Sequence, residues 1–108
     1  MDFSVTIDSS APDAVVRPRG ELDVFSAFQL ARSLHDAVDK GCRRVLLDLE
    51  DITFIDAGAL RTLDRLRSQL AASGASLRLV AWSPRFEQLC RVTGLDVTFG
   101  LVPDAQPA

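Results

Sequence analysis

Few residues in this chain carry reactive groups. There is one histidine, His35, and there are two cysteines, Cys42 and Cys90. His35 falls on the flank of an apolar helical stripe, with no nucleophile or base at motif spacing, and reads as a packed boundary residue. The cysteines lie far apart with no C-x-x-C or Cys/His pattern, which argues against a zinc site or a disulfide scaffold. Cys90 groups with Phe86 and Leu89 as an inert core thiol. Cys42, just after Gly41 at a strand entrance, is expected to be the more exposed. What remains is the turn Asp56-Ala57-Gly58-Ala59, where an apolar segment runs into a helix. Unpaired N–H groups at a helix start favour a negative group, and Asp56 can supply one itself as a cap. The small residues Ala57, Gly58 and Ala59 would let another surface approach the backbone. The turn lacks the lysine of a phosphate-binding loop. It is either a recognition surface or simply a capped turn that needs small residues. No enzyme, metal or cofactor is expected.

The elements around the turn follow from periodicity. FSVTID alternates, with Phe3, Val5 and Ile7 on one face, and predicts a half-buried strand. AVVRPRG predicts a second strand in a hairpin with the first, Pro18 at an edge or near its end because proline cannot donate to a ladder. Ala27, Leu30, Ala31, Leu34, Ala37 and Val38 have helical spacing. Asp23 or Ser26 is the candidate cap, and Gly41 the stop. RRVLLDLEDI is a nearly continuous apolar run, which predicts a strand buried on both faces of a parallel sheet. Leu60, Leu63, Leu66 and Leu70 mark a second helix, LRLVAW another strand, and Ser83-Pro84 the start of a third helix. VTFGLV predicts a last strand. The order β-β-α-β-α-β-α-β implies one α/β domain, with a mixed, mostly parallel sheet and an N-terminal hairpin, over residues 1–102. Residues 103–108 are expected to form a flexible tail.

Charged side chains are weighed against plain structural roles. Glu21 could be a solvated residue and Asp23 a cap; Arg61 and Arg65, four apart, share an exposed helical face. Arg67 at the edge of the leucine stripe pairs with Asp64. Asp48 inside a strand needs a hydrogen bond to backbone or an arginine. Over 108 residues, 47% are hydrophobic and 25% charged, enough for one core, and the net charge of −3 argues against nucleic acid as a partner. No run approaches the roughly 20 apolar residues that would insert in a membrane, and MDFSVTIDSS is not a signal peptide. The expected location is cytoplasmic.

Taken in order, RGELDVFSA, VLLDLEDITFIDAGAL and LRLVAWSPRFEQLCRVTGLDVTF resemble STAS domains, and most of all the anti-sigma factor antagonists, or anti-anti-sigma factors. The resemblance spans roughly Val5 to Phe99. It implies a protein that binds an anti-sigma factor, often a serine kinase, and so releases a sigma factor. It also implies a switch: the kinase phosphorylates a serine in the turn before the second helix. Here Ala57 occupies that position, and Ala59 stands where the family has glycine. The resemblance places Glu21 and Asp23 beside Asp56, Ala57, Gly58, Ala59, Arg61 and Thr62 on a partner-binding surface, and a homodimer is admitted. Thr53 and Thr62 are the nearest hydroxyls and read as structural. Phosphorylation adds about −1.5 to −2 charges, which alanine cannot accept. The alternatives are a STAS subunit of a lipid-transporting ABC system, or a STAS scaffold protein.

Overall fold

The computed structural model describes residues 3–101. Two strands, β1 (Ser4–Ser10) and β2 (Asp13–Leu22), precede helix α1 (Val24–Asp39). Strands β3 (Arg44–Asp48) and β4 (Ile52–Ile55) lead to α2 (Ala57–Ala72), followed by β5 (Ser76–Ala81) and α3 (Pro84–Thr93). β1 and β2 form the expected antiparallel hairpin, with Ile7 opposite Val16 and Val5 opposite Pro18. The remaining pairings are parallel, in the order β1-β2-β3-β5, with β4 joined to β2. The architecture is thus the expected α/β domain with a mixed sheet.

Strict alternation in β2 explains how the core is built. Ala14, Val16, Pro18 and Leu22 are buried while Arg17, Arg19 and Glu21 are exposed, since successive side chains leave a strand on opposite sides. Val16 pairs with Leu47, and Leu47 with Leu79, so one face is apolar across the sheet. Onto it pack Leu30 and Leu34 of α1, Leu60, Leu63, Leu66 and Leu70 of α2, and Phe86 and Cys90 of α3. The molecule is a slab only 19 Å thick, consistent with one sheet and one helical layer. No helix among the described residues is long and apolar enough to cross a membrane.

Four expectations need correction. β3 is not buried on both faces: Val45 and Leu47 are, but Leu46 is only half-buried on the uncovered side. Its apolar run reflects an outer face that is less polar than usual, not a second layer of helices. Pro18 is neither at an edge nor at a strand end. β2 is central, and Pro18 lies between the β3 ladder (Asp13–Val16) and the β4 ladder (Gly20–Leu22), where no parallel rung needs its missing N–H. The segment before α2 contains a separate strand, β4, because the chain turns at Leu49–Asp51, with the Ile52 N–H donating to the Leu49 carbonyl at 3.1 Å. No strand forms over Val97–Leu101. The N–H groups of Phe99, Gly100 and Leu101 donate to the carbonyls of Leu95, Val97 and Asp96, curling the chain into turns. Phe99 is buried against Phe86, ring centroids 6.3 Å apart, so the apolar pattern there records an anchor rather than a strand. Val102 and the expected tail lie outside the described residues.

Candidate docking site

The carboxyl ends of β2 and β4 lie side by side. Leu22 pairs with Ile55, and the Asp56 N–H donates to the Leu22 carbonyl at 3.4 Å. One residue past each strand end an aspartate caps a helix, Asp23 for α1 and Asp56 for α2. This juxtaposition brings Glu21 and Asp23 to the turn at residues 56–59, two segments more than thirty residues apart in the chain.

At α1 both candidate capping residues are used. The Asp23 carboxylate accepts from the Ser26 N–H at 2.9 Å, and the Ser26 hydroxyl oxygen accepts from the Asp23 N–H at 2.9 Å. The same hydroxyl lies 2.8 Å from the Glu21 carbonyl, to which it donates. This is a capping box with serine in place of the usual glutamate. The backbone N–H of Ser26, followed by its hydroxyl, holds the Asp23 carboxyl below its ordinary 3.8. At α2 the Asp56 carboxylate accepts from the Ala59 N–H at 2.8 Å, and no side chain returns the bond.

Ala57 and Gly58 are partly exposed at the turn, Glu21 is exposed beside it, and Arg61 is exposed one turn along α2. Thr62 is half-buried, its hydroxyl donating to the Gly58 carbonyl at 3.1 Å, which is the structural role expected of it. Ala59 departs from the expected contact set. Its side chain is fully buried in the core, because the third residue of α2 points down onto the sheet, so it cannot meet a partner. A methyl group on Gly58 would come within 3.1 Å of Val24 Cγ2, so the two helix starts are in close approach at this glycine.

Several candidates resolve into structure. Asp48 accepts from the Glu50 N–H at 2.9 Å and pairs with Arg17 at 3.4 Å, combining the backbone and arginine partners expected of it. Arg67 pairs with Asp64 at 3.0 Å, and Arg65 is exposed. His35 is exposed rather than packed, its Nε2 lying 3.3 Å from Gln69 Oε1 of α2. Cys90 is buried, and burial, then the charges of Asp96 and Glu87, push its thiol from 9.0 to about 11, so little nucleophilic thiolate forms near neutrality. Cys42 is buried too, contrary to expectation: the left-handed Gly41 (φ 99°) folds the chain back and seats it against Ala14 and Ala37.

Residue-by-residue reading overlooked the exposed apolar side chains at this end of the sheet: Val24, Phe25 and Phe28 on α1, and Phe54 on β4. The signal was present, since Phe25 and Phe28 lie off the stripe that buries Ala27, Leu30 and Leu34.

The chain matches the family model described as "STAS domain" over residues 4–108. It is 28% identical over 95 residues to the anti-sigma-B factor antagonist of Bacillus subtilis, covering 88% of this chain and 86% of that relative. Among solved structures, an anti-sigma factor antagonist from Mycobacterium paratuberculosis superposes with a TM-score of 0.77 at 24% identity, covering 96% of this chain and 88% of that one. The anti-sigma factor antagonist SpoIIAA in its unphosphorylated form gives a TM-score of 0.68 at 22% identity, covering 93% and 100%.

Proposed function

The chain belongs to the STAS-domain family, and on that premise we propose that it is an anti-sigma factor antagonist whose partner docks on the entrance to α2. The partner is an anti-sigma factor of the serine-kinase type, and its capture releases a sigma factor in the cytoplasm. One observation carries the reading: Ala57, where the resemblance puts the modifiable serine, is a partly exposed methyl on a capped turn beside the exposed Glu21. Asp23, Asp56, Gly58, Arg61 and Thr62 frame it. The surface is kept while the hydroxyl is gone, so binding persists in the presence of the kinase. A phosphate at this position would put about two negative charges against a contact face next to two aspartates.

The test uses the purified protein, its cognate anti-sigma kinase and ATP, followed by intact mass and calorimetry. The native chain should bind and gain no phosphate. Ala57→Ser should become phosphorylated and then release the partner, and Ala57→Asp should weaken binding about tenfold or more through like-charge repulsion and desolvation. Phosphate on another residue of the native chain, with loss of binding, would refute the constitutive reading.

A further inference from the structure

Resting on the reading that an anti-sigma factor docks at the α2 entrance, we infer that Phe25 and Phe28 of α1 are the apolar anchors of that interface, and that the partner presents an apolar pocket or ridge to receive them. Phe25 is 82% exposed and Phe28 58% exposed, although the chain has only six phenylalanines. The core does not need either ring: the apolar face of α1 is complete with Ala27, Leu30, Leu34 and Ala37. Contiguous exposed apolar surface of this kind marks interaction sites more often than isolated exposed residues do.

Their place in the fold joins them to the turn. Phe25 follows Val24, whose Cγ2 stands against Gly58, so the first turn of α1 and the first turn of α2 form one continuous surface. That surface needs anchors from somewhere. Ala57 and Gly58 offer a methyl group and backbone, far too little apolar area for the desolvated centre of a stable interface. A phenyl ring buries on the order of 150–250 Å². Beyond Phe25 and Phe28, a shallow trough continues along α1 past Gln29, Arg32, Ser33 and Asp36, so the apolar end lies nearest the turn and the polar end away from it. This gradient suits a partner whose contact is centred on the two helix entrances. A second copy of the chain would leave the adjacency to the turn without a purpose.

Calorimetry with the purified cognate anti-sigma factor tests the inference, using Phe25→Ser, Phe28→Ser, their double variant, Phe54→Ser and Ala57→Asp. Each α1 variant should lose about tenfold in affinity and the double variant about a hundredfold, with melting temperatures close to the native chain because both rings are exposed. Full affinity in the double variant while Ala57→Asp loses binding would overturn the anchors and leave the docking site standing. A loss confined to Phe54→Ser would move the anchor to the uncovered sheet face and equally overturn the inference. Absence of binding by the native chain would overturn the functional reading and the anchors together. A native dimer by sedimentation, dissolved by the double variant with anti-sigma affinity unchanged, would assign the rings to self-association instead.

Discussion

The two helix entrances at the carboxyl end of the sheet begin alike and are secured differently. Each follows a strand of the same parallel pair, and each is capped by an aspartate whose carboxylate accepts from the third helical N–H, at 2.9 Å for α1 and 2.8 Å for α2. At α1, Ser26 returns a bond to the Asp23 backbone and also donates to the Glu21 carbonyl, tying the entrance to the end of β2 through a nearly buried hydroxyl. At α2 the corresponding residue is Ala59, which contributes only packing. One entrance is held by a reciprocal set of hydrogen bonds through Ser26, the other by a single capping carboxylate and its contacts with the core. The second solution leaves the outer surface of the turn free of side chains with other duties. A surface meant to be approached closely gains from that.

The largest effects should therefore come from packing at α2 and polar bonds at α1. Leu60→Ala removes a fully buried side chain beneath the α2 turn and should cost about 3 kcal/mol of unfolding free energy. Ser26→Ala leaves the Asp23 N–H and the Glu21 carbonyl without their shared partner and should cost about 1–2 kcal/mol. Urea unfolding of both variants checks the contrast. If Ser26→Ala cost less than about 0.5 kcal/mol, the polar bonds would not be what secures the α1 entrance, and the distinction between the two would fall.

The charge on Asp23 sharpens the same contrast at lower cost. Its folded carboxyl titrates below 3.8, so the unfolded state binds the proton first as the pH falls. The stability it contributes is fully present above about pH 3.8 and is lost as the pH drops through the lower folded value. Asp23→Asn keeps a good capping side chain but has nothing to titrate. Near neutrality its melting temperature should stay close to that of the native chain, because the amide oxygen can still accept from the Ser26 N–H. Below pH 4 its stability should fall less steeply than that of the native chain. Parallel acid limbs for the two proteins would show that other carboxylates govern acid unfolding.

Much of this arrangement was legible in the residues themselves. Alternation in FSVTID, the leucine spacing of α2 and the Ser83-Pro84 start each report a local rule, and each element formed where its rule placed it. Ile7, on the expected buried face of the edge strand β1, is nevertheless 39% exposed. Spacing does not choose between Asp23 and Ser26 as the α1 cap, because a capping box uses both. Three of the failures share a cause: they concern what lies on the far side of an element. Whether Leu46 faces a second helical layer, whether Pro18 sits at an edge, and whether Cys42 is covered depend on which segments pack alongside, and local pattern does not carry that. VTFGLV misled for a related reason, since one buried ring and three turn hydrogen bonds give the same apolar pattern as a short strand. The docking turn was visible as small residues after an aspartate. Its neighbours Phe25 and Phe28 became informative only once the core was seen to close without them.

The smallest effect concerns the seam between the two entrances, where Gly58 meets Val24. Glycine in a helix is less stable than alanine by about 1 kcal/mol, so Gly58→Ala would be a gain if the seam could accept it. The new methyl would lie 3.1 Å from Val24 Cγ2, closer than side chains ordinarily pack, and Val24 must give by a few tenths of an ångström. Val24 is 41% exposed and can move outward without opening the core. Its shift should consume part of the propensity gain, leaving Gly58→Ala more stable by only a few tenths of a kcal/mol. Val24→Ala in the same chain should release the remainder, so a double-mutant cycle by thermal unfolding should show the two changes coupled favourably. A destabilisation of more than about 1 kcal/mol in Gly58→Ala would instead mean that Val24 is fixed. The close approach of the two entrances would then be a rigid contact rather than an adjustable one.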